Sequence, residues 1–410
     1  MLEFVLVACI FALLARAAQG VLMLRWAVSA PMTGVSREVS PPISVLIPCY
    51  NEEQVLERTL AAIFASQGID LRVVICIDDG STDGTLKLAL RLKEQYGDVL
   101  KVVTQANSGK ALALNRGLEE VSTPSFVCID ADTQVFTETL HHLAGSLLTE
   151  HVAAVSGNMI VGGGEYSESL LCRSQKIEYE VANNIERRAL SALRCVLVVP
   201  GAISAFSTCA VRRLGGFSNR TMAEDTDITL LLLSQGHQTL YQPAALAVTE
   251  VPVTLAQLYA QRLRWSTGKL QVVALQARAS WHQGGRTLAL WLYMMLDHCL
   301  APLLSIPVSL LFVCCWVAEV RSVSGLGGLT GFAISTYALC FLIHVVRCRV
   351  ASGMAHTEGS QGQWCLDSVL PVVLVIGCIT TWHALFKLLT GKTPRWSKLA
   401  RRGDVRLPMT

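Results

Sequence analysis

The sequence predicts an α/β domain with a mostly parallel sheet, joined to α-helical transmembrane segments. Three observations lead there. Of 410 residues, 52% are hydrophobic and only 16% charged, and the mean hydropathy is +0.44, too apolar for an ordinary soluble chain. The apolar residues gather into long uninterrupted runs near both ends. Between those ends, short continuous apolar runs alternate with amphipathic stretches, the pattern of strands covered by helices on both faces.

Residues 2–24 are apolar apart from Glu3, Arg16 and Gln19, and are long enough to span a bilayer. Residues 1–25 are therefore expected to be an uncleaved anchor. A signal peptide fits less well, because Arg16 and Arg25 flank the far end and no small-residue cleavage site follows. Residues 26–42 form a linker marked by Pro31, Gly34, Pro41 and Pro42. Residues 43–253 form the soluble domain. Its first strand is Ile43-Ser44-Val45-Leu46-Ile47, followed by a helix over 54–66 with Val55, Leu60, Ile63 and Phe64 at helical spacing. A second strand, Val73-Val74-Ile75-Cys76-Ile77, leads into a helix over 83–95. A strand over 100–103, a helix over 110–120 and a strand over 126–129 complete the alternation. Residues 254–285 are amphipathic and suit the membrane interface. Residues 286–390 hold three candidate spans, 288–317, 329–346 and 369–389, with Pro302 and Pro307 placed to kink the first. Residues 391–410 are a basic tail. Topology carries a conflict: Arg25 and the basic soluble domain point inside, yet three later spans would leave the basic tail outside.

Several functions are excluded. A net charge of +3, with no basic run interleaved with aromatics, gives no nucleic-acid surface. The 14 cysteines show no metal spacing or disulfide framework and read as reduced thiols. No phosphate-binding loop, dinucleotide fingerprint or serine-hydrolase elbow occurs at a strand end.

In a parallel sheet, ligands bind beyond the carboxyl ends of the strands. Three strands here end in polar clusters: Pro48-Cys49-Tyr50-Asn51-Glu52, Asp78-Asp79-Gly80-Ser81 and Asp130-Ala131-Asp132. Tyr50, Glu52, Asp79, Asp130 and Asp132 can converge on one crevice. Alternate carboxylates after a strand suit one Mg2+ or Mn2+ that keeps room for diphosphate oxygens. Gly109-Lys110 opens a helix and suits either phosphate binding or a plain helix start. Asp225, in Ala223-Glu224-Asp225-Thr226-Asp227, suits either a helix N-cap or a general base that takes a sugar hydroxyl proton. Gln261-Arg262-Leu263-Arg264-Trp265 sits in an amphipathic stretch over 254–275. It suits an interfacial helix, or a diphosphate clamp at Arg264 with Trp265 stacked on a sugar ring. Asp297 and His298, inside an apolar run, suit either a polar path or an interfacial turn.

Taken together, Ile-Pro-Cys-Tyr-Asn-Glu at 47–52, Asp-Asp-Gly-Ser at 78–81, Asp-Ala-Asp at 130–132, Ala-Glu-Asp at 223–225 and Gln-x-x-Arg-Trp at 261–265 resemble a known set. It is that of the family 2 glycosyltransferases that synthesise cellulose, chitin and hyaluronan. Local stretches at 107–111, 222–228, 261–265 and 395–396 are most similar to bacterial poly-β-1,6-N-acetylglucosamine synthases. The resemblance implies a GT-A-type domain and an inverting, processive transferase. Asp79, Tyr50 and Glu52 would line the nucleotide pocket, with Lys110 and Arg264 on the donor. Asp130 and Asp132 would hold Mg2+ or Mn2+. Asp225 would be the base, with Gln261, Trp265 and Ser204 on the acceptor side. The family's usual Thr-Glu-Asp stands here as Ala-Glu-Asp, and Ser266-Thr267-Gly268-Lys269 departs from the Gly-rich continuation usual there. The implied partners are a UDP-sugar donor, a growing polysaccharide, membrane lipids and a small membrane partner subunit. The implied location is the bacterial cytoplasmic membrane, multi-pass, with the catalytic domain facing the cytoplasm. The competing readings are transfer to a lipid carrier, another polymer such as hyaluronan, chitin or cellulose, and an inactive scaffold.

Overall fold

A computed structural model describes residues 2–29, 41–162, 164, 166–167, 169–321, 328–355, 372–392 and 403. Most of the proposed linker and basic tail, including Arg395 and Trp396, lies outside these residues. The first helix, Leu2–Ser29, runs four residues past the expected end of the anchor.

The soluble domain is one eight-stranded sheet: β1 (Pro42–Cys49), β2 (Asp70–Asp78), β3 (Leu100–Thr104), β4 (Ser125–Ile129), β5 (Gln134–Val135), β6 (Val152–Val161), β7 (Ile203–Ser207) and β8 (Gln238–Thr249), in the order β3-β2-β1-β4-β7-β6-β8-β5. The first four strands are the ones the sequence predicts, and they pair in parallel. The pairing of β6 with β8 is also parallel, whereas β7 runs antiparallel to both neighbours and β5 antiparallel to β8. The sheet is therefore mixed. The apolar alternation in this second half is weaker and escaped the sequence reading.

Alternation along the strands divides the core. Ile43, Val45, Ile47, Val127 and Ile129 bury on one face against Leu56, Leu60 and Ile63 of the helix Leu56–Phe64. Leu46, Ile75, Ile77, Phe126 and Phe206 bury on the other face. There they meet Ala113, Leu114 and Leu118 of the helix Lys110–Glu119, Val272 and Val273 of the helix Leu255–Gln283, and Met23 and Ala27 of the first helix. Each strand residue thus loses water on whichever side it points, which is why the strands read as unbroken apolar runs.

Among the described residues, four helices are long and apolar enough to cross a membrane: Val7–Ser29, Gly285–Cys314, Gly331–Gly353 and Val372–Leu389. The second contains a wide π turn, Met294–Leu300, upstream of Pro307. Asp297 lies in that turn and accepts bonds from Arg16 Nη1 (2.7 Å) and Gln19 Nε2 (3.1 Å). It ties the first of these helices to the second and is already engaged by that contact, unlike a residue lining an open path. Arg347 Nη2 reaches Glu186 Oε1 (2.9 Å), and Asn184 Nδ2 reaches the Ala351 carbonyl (3.2 Å), so the helix Gly328–Gly353 returns to the sheet domain. In the last helix, His383 meets the Tyr259 hydroxyl at 2.6 Å. Beyond it, the Gly403 amide donates to Glu250 Oε1 (2.8 Å). The chain therefore ends its described path on the sheet domain.

Candidate active site

The strand ends meet through backbone bonds. The Asp79 amide donates to the Cys49 carbonyl (2.8 Å), which fastens the end of β2 to the end of β1. Asn51 adopts a left-handed φ of 56°, and its Oδ1 accepts the Thr82 amide (2.7 Å), so the two loops form one wall. The Glu52 amide donates to Thr85 Oγ1 (2.7 Å). Tyr50 and Glu52 are half-buried on this wall.

Asp79 is only 4% exposed. Its Oδ1 accepts from Gln105 Nε2 (2.7 Å) and the Ser108 amide (2.8 Å), and its Oδ2 accepts from the Gly109 amide (2.8 Å). It therefore shapes the loop that launches the helix Lys110–Glu119. Gly109 has φ 92°, a conformation that glycine takes without strain. The turn delivers Lys110 to the end of β4, where Nζ bonds Asp130 Oδ1 and lies 3.8 Å from Glu224 Oε1.

The antiparallel direction of β7 completes the crevice. Ile203 pairs with Ile129, so the residues just before β7 stand beside the residues just after β4. The Asp130 amide donates to the Ala202 carbonyl (3.2 Å), and the Gly201 amide donates to Asp225 Oδ2 (3.2 Å). A Cβ on Gly201 would fall 2.8 Å from Lys110 Nζ, so only glycine leaves the ammonium its present room. Asp225 Oδ1 accepts the Thr226 amide (2.7 Å). The N-cap of the helix Glu224–Ser234 is Ala223, not Asp225; Asp225 lies in the first turn with its carboxylate turned to Gly201.

The charges interact. Burial alone would lower the Lys110 ammonium, but Asp130, Glu224 and Asp225 outweigh it and hold that group above the ordinary lysine range. Burial pushes the Glu224 carboxyl up, against the pull of Lys110 and Arg264, and the Asp225 charge adds to the rise. The sequence reading gave Glu224 no role, although it was legible as the neighbour of Asp225. Gly201 belongs to the stretch 201–206 that the family resemblance sets on the acceptor side, and the antiparallel direction of β7 is what brings it to Asp225.

Gln261, Arg264, Trp265 and Gly268 recur at three- and four-residue intervals and so share a face of the helix Leu255–Gln283. That face lies against the Ala223 turn, since a Cβ on Gly268 would meet Ala223 Cβ at 2.6 Å. The departure from the usual Gly-rich continuation thus keeps the one glycine this contact needs. Gln261 is buried. Trp265 is half-buried, with the Arg262 guanidinium 4.2 Å from its ring centroid. Ser204 does not reach the crevice. It is fully buried inside β7 opposite Cys128 and Ser156, and the residues of that stretch at the crevice are Gly201 and Ala202.

Asp132 is 5% exposed and Asp130 lies two residues away at the crevice. Two carboxylates are a hard-oxygen donor pair that suits Mg2+ or Mn2+ with remaining positions left to a diphosphate. Among the described residues no group of three or more His, Cys, Asp or Glu side chains gathers to hold an ion by protein alone. The residues fit an ion shared with a substrate.

Known proteins share this architecture. The poly-beta-1,6-N-acetyl-D-glucosamine synthase of Staphylococcus aureus (strain COL) is 32% identical over 232 residues, 56% of this chain and 55% of that one. The synthase of the same name from Staphylococcus epidermidis is 28% identical over 232 residues, with the same shares covered. The chain spans about half the length of the curated relatives it matches. Among solved structures, the mannosyltransferase PcManGT from Pyrobaculum calidifontis, in complex with GDP-Man and Mn2+, superposes with a TM-score of 0.65 at 20% identity. The match covers 93% of this chain and 99% of that one, and it shows a GT-A-like fold. The family described as glycosyltransferase like family 2 matches residues 41–268. That is more than half of the 410 residues, and the chain belongs to this glycosyltransferase family.

Proposed function

We propose that the protein is an inverting, processive transferase that builds a β-linked polysaccharide from a UDP-sugar. The donor proposed is UDP-N-acetylglucosamine and the product poly-N-acetylglucosamine. The observation that carries this reading is the convergence of Asp130, Lys110, Glu224 and Asp225 around Gly201. A base, a cation and an ion-binding pair stand where a diphosphate and an acceptor hydroxyl have to meet.

Tyr50, Glu52 and Asp79 form or support the nucleotide pocket. Asp130 and Asp132 would hold a divalent cation, which would supply positive charge to the diphosphate. Lys110 and Arg264 add positive charge on the same side. Asp225, oriented by the Gly201 and Thr226 amides, accepts the proton of the acceptor hydroxyl as its oxygen attacks the anomeric carbon. The bond from that carbon to the diphosphate oxygen breaks, and UDP leaves from the opposite face, which inverts α to β. Trp265, with Gln261, stacks the terminal sugar. The helix that carries them packs on the base turn through Gly268 and on the last membrane helix through Tyr259 and Ser266. This continuity from base to membrane supports a product that leaves through the membrane side.

The domain is proposed to face the cytoplasm of a bacterial cell, with lipids around the four helices and a small membrane subunit supplying control. The Gly403 contact with Glu250 supports a return of the chain to the domain's side, so that the three candidate spans after Gln283 are not all single crossings. The basic tail then shares the domain's side, in accord with the positive-inside tendency.

The test is to incubate the detergent-solubilised protein with Mg2+ or Mn2+ and a panel of UDP-sugars, reading UDP release and product size together. Release with UDP-N-acetylglucosamine and long product is expected. Short or lipid-linked product would replace the polymer reading with transfer to a carrier. Release with none of the sugars, while UDP still binds, would refute the reading of this chain as sufficient for catalysis.

A further inference from the structure

Lys110 stands where a cation belongs. Its Nζ bonds Asp130 Oδ1, lies 3.8 Å from Glu224 Oε1, and fills a notch open only because residue 201 is glycine. Its alkyl stem starts from a fixed point, since Gly109 is pinned by Asp79. Its ammonium end meets the carboxylates of Asp130 and Glu224, and its side chain is 29% exposed. The group is thus anchored at its base, while its tip is held by ion pairs for which another charge can compete.

We propose that Lys110 is the resident counter-ion of Asp130, which keeps a divalent cation out until a nucleoside diphosphate brings one in. This rests on the reading of Asp130 and Asp132 as the ion-binding pair. A bare cation arriving alone has to displace a positive charge already bonded to Asp130. It meets the repulsion of that charge at a few ångströms in a partly desolvated crevice. A cation arriving with a diphosphate brings negative oxygens to which the ammonium can turn, while Glu224 offers a second carboxylate within reach. The ion and the diphosphate therefore enter as one unit. When UDP leaves with its ion, Lys110 closes again on Asp130, which favours release over rebinding of the metal. Lys110 is a positioning residue for the ion as well as a donor contact.

The experiment uses the full chain in detergent. Mn2+ binding is read from the loss of the free-ion EPR signal, with and without UDP. Wild-type protein is expected to bind Mn2+ weakly alone and about tenfold or more tightly with UDP. By linkage, UDP should gain the same factor from Mn2+. Lys110→Met is expected to bind Mn2+ without UDP about tenfold more tightly than wild type, with a smaller gain on adding UDP. Lys110→Arg keeps the charge and should keep the wild-type pattern, which separates charge from packing. If Lys110→Met binds Mn2+ alone no better than wild type, while Asp130→Asn and Asp132→Asn weaken Mn2+ binding with UDP, the counter-ion proposal is overturned and the metal reading stands. If neither aspartate variant weakens Mn2+ binding with UDP, the metal reading itself is overturned, and the proposal with it.

Discussion

In the crevice, Asp79 and Asp225 take bonds from backbone amides within about thirty residues of the chain, while Asp130 keeps the Lys110 ammonium. Asp79 is held by the amides of Ser108 and Gly109, 29 and 30 residues on, and Asp225 by that of Gly201, 24 residues back. At the junction of sheet and membrane, the acids take guanidinium groups from far away. Glu178 pairs with Arg262 across 84 residues, Glu186 with Arg347 across 161, and Asp297 with Arg16 across 281. An amide orients a carboxylate and leaves its charge in place for an ion or a proton. A guanidinium cancels that charge and turns the acid into a structural tie. The first arrangement suits chemistry and the second suits assembly.

Removing the charge from the first region should have the largest effect. Asp225→Asn is expected to lower the turnover number by about 10²–10⁴-fold while UDP binding, measured by calorimetry, stays near that of wild type. Turnover close to normal would break the distinction, because Asp225 would then be one more structural acid.

In the second region, Arg262→Met should act on stability. The Arg262 side chain is 5% exposed, and its partner Glu178 is 34% exposed. Stranding a partly solvated acid should cost about 1–3 kcal/mol, less than for a fully buried pair. Thermal unfolding in detergent measures it, and adding Glu178→Gln should restore part of the loss. A variant as stable as wild type would argue that the pair is solvated and inert.

Gly268→Ala sharpens the boundary between the regions. The new methyl would stand 2.6 Å from Ala223 Cβ and 2.9 Å from the Ala223 amide nitrogen, so the helix or the base turn has to shift. A stability loss of about 1–3 kcal/mol is expected, together with a lower turnover number at unchanged UDP affinity. Loss of stability with no change in turnover would show that the base turn is insulated from the helix.

The smallest effect expected is a pH dependence at Glu180. Burial raises its carboxyl above the ordinary range, against the Ser352 hydroxyl bonded to it and the charge of Lys176. The folded state then holds the proton more tightly than the unfolded state. Stability should therefore fall as pH climbs from the ordinary carboxylate range through the raised value. Glu180→Gln should flatten that slope in melting curves taken across mildly acidic to neutral pH. An equal slope in both proteins would place the dependence elsewhere.

The split between the regions also marks what could be read from the sequence. The strands β1 to β4, the helices between them and the acids that follow β1, β2 and β4 were legible. Continuous apolar runs specify strands buried on both faces, and residues directly after a strand fall at its carboxyl end whatever the rest of the chain does. The match over residues 41–268 covers that stretch and runs on through the later strands. The later strands were not legible because polar, glycine and proline residues such as Ser156, Gly157, Asn158, Gln242 and Pro243 interrupt their apolar runs, and their order is set by pairings across the sheet. The direction of β7 decided that Gly201 meets Asp225 and that Ser204 turns inward. Packing decided that Asp297 answers Arg16, since nothing local joins residues 281 apart. By itself the sequence determined which residues could do chemistry and that the chain meets a membrane. Only the tertiary structure decided which of those residues meet, because distance through the chain carries no information about distance in space once a sheet has crossed over and helices have docked.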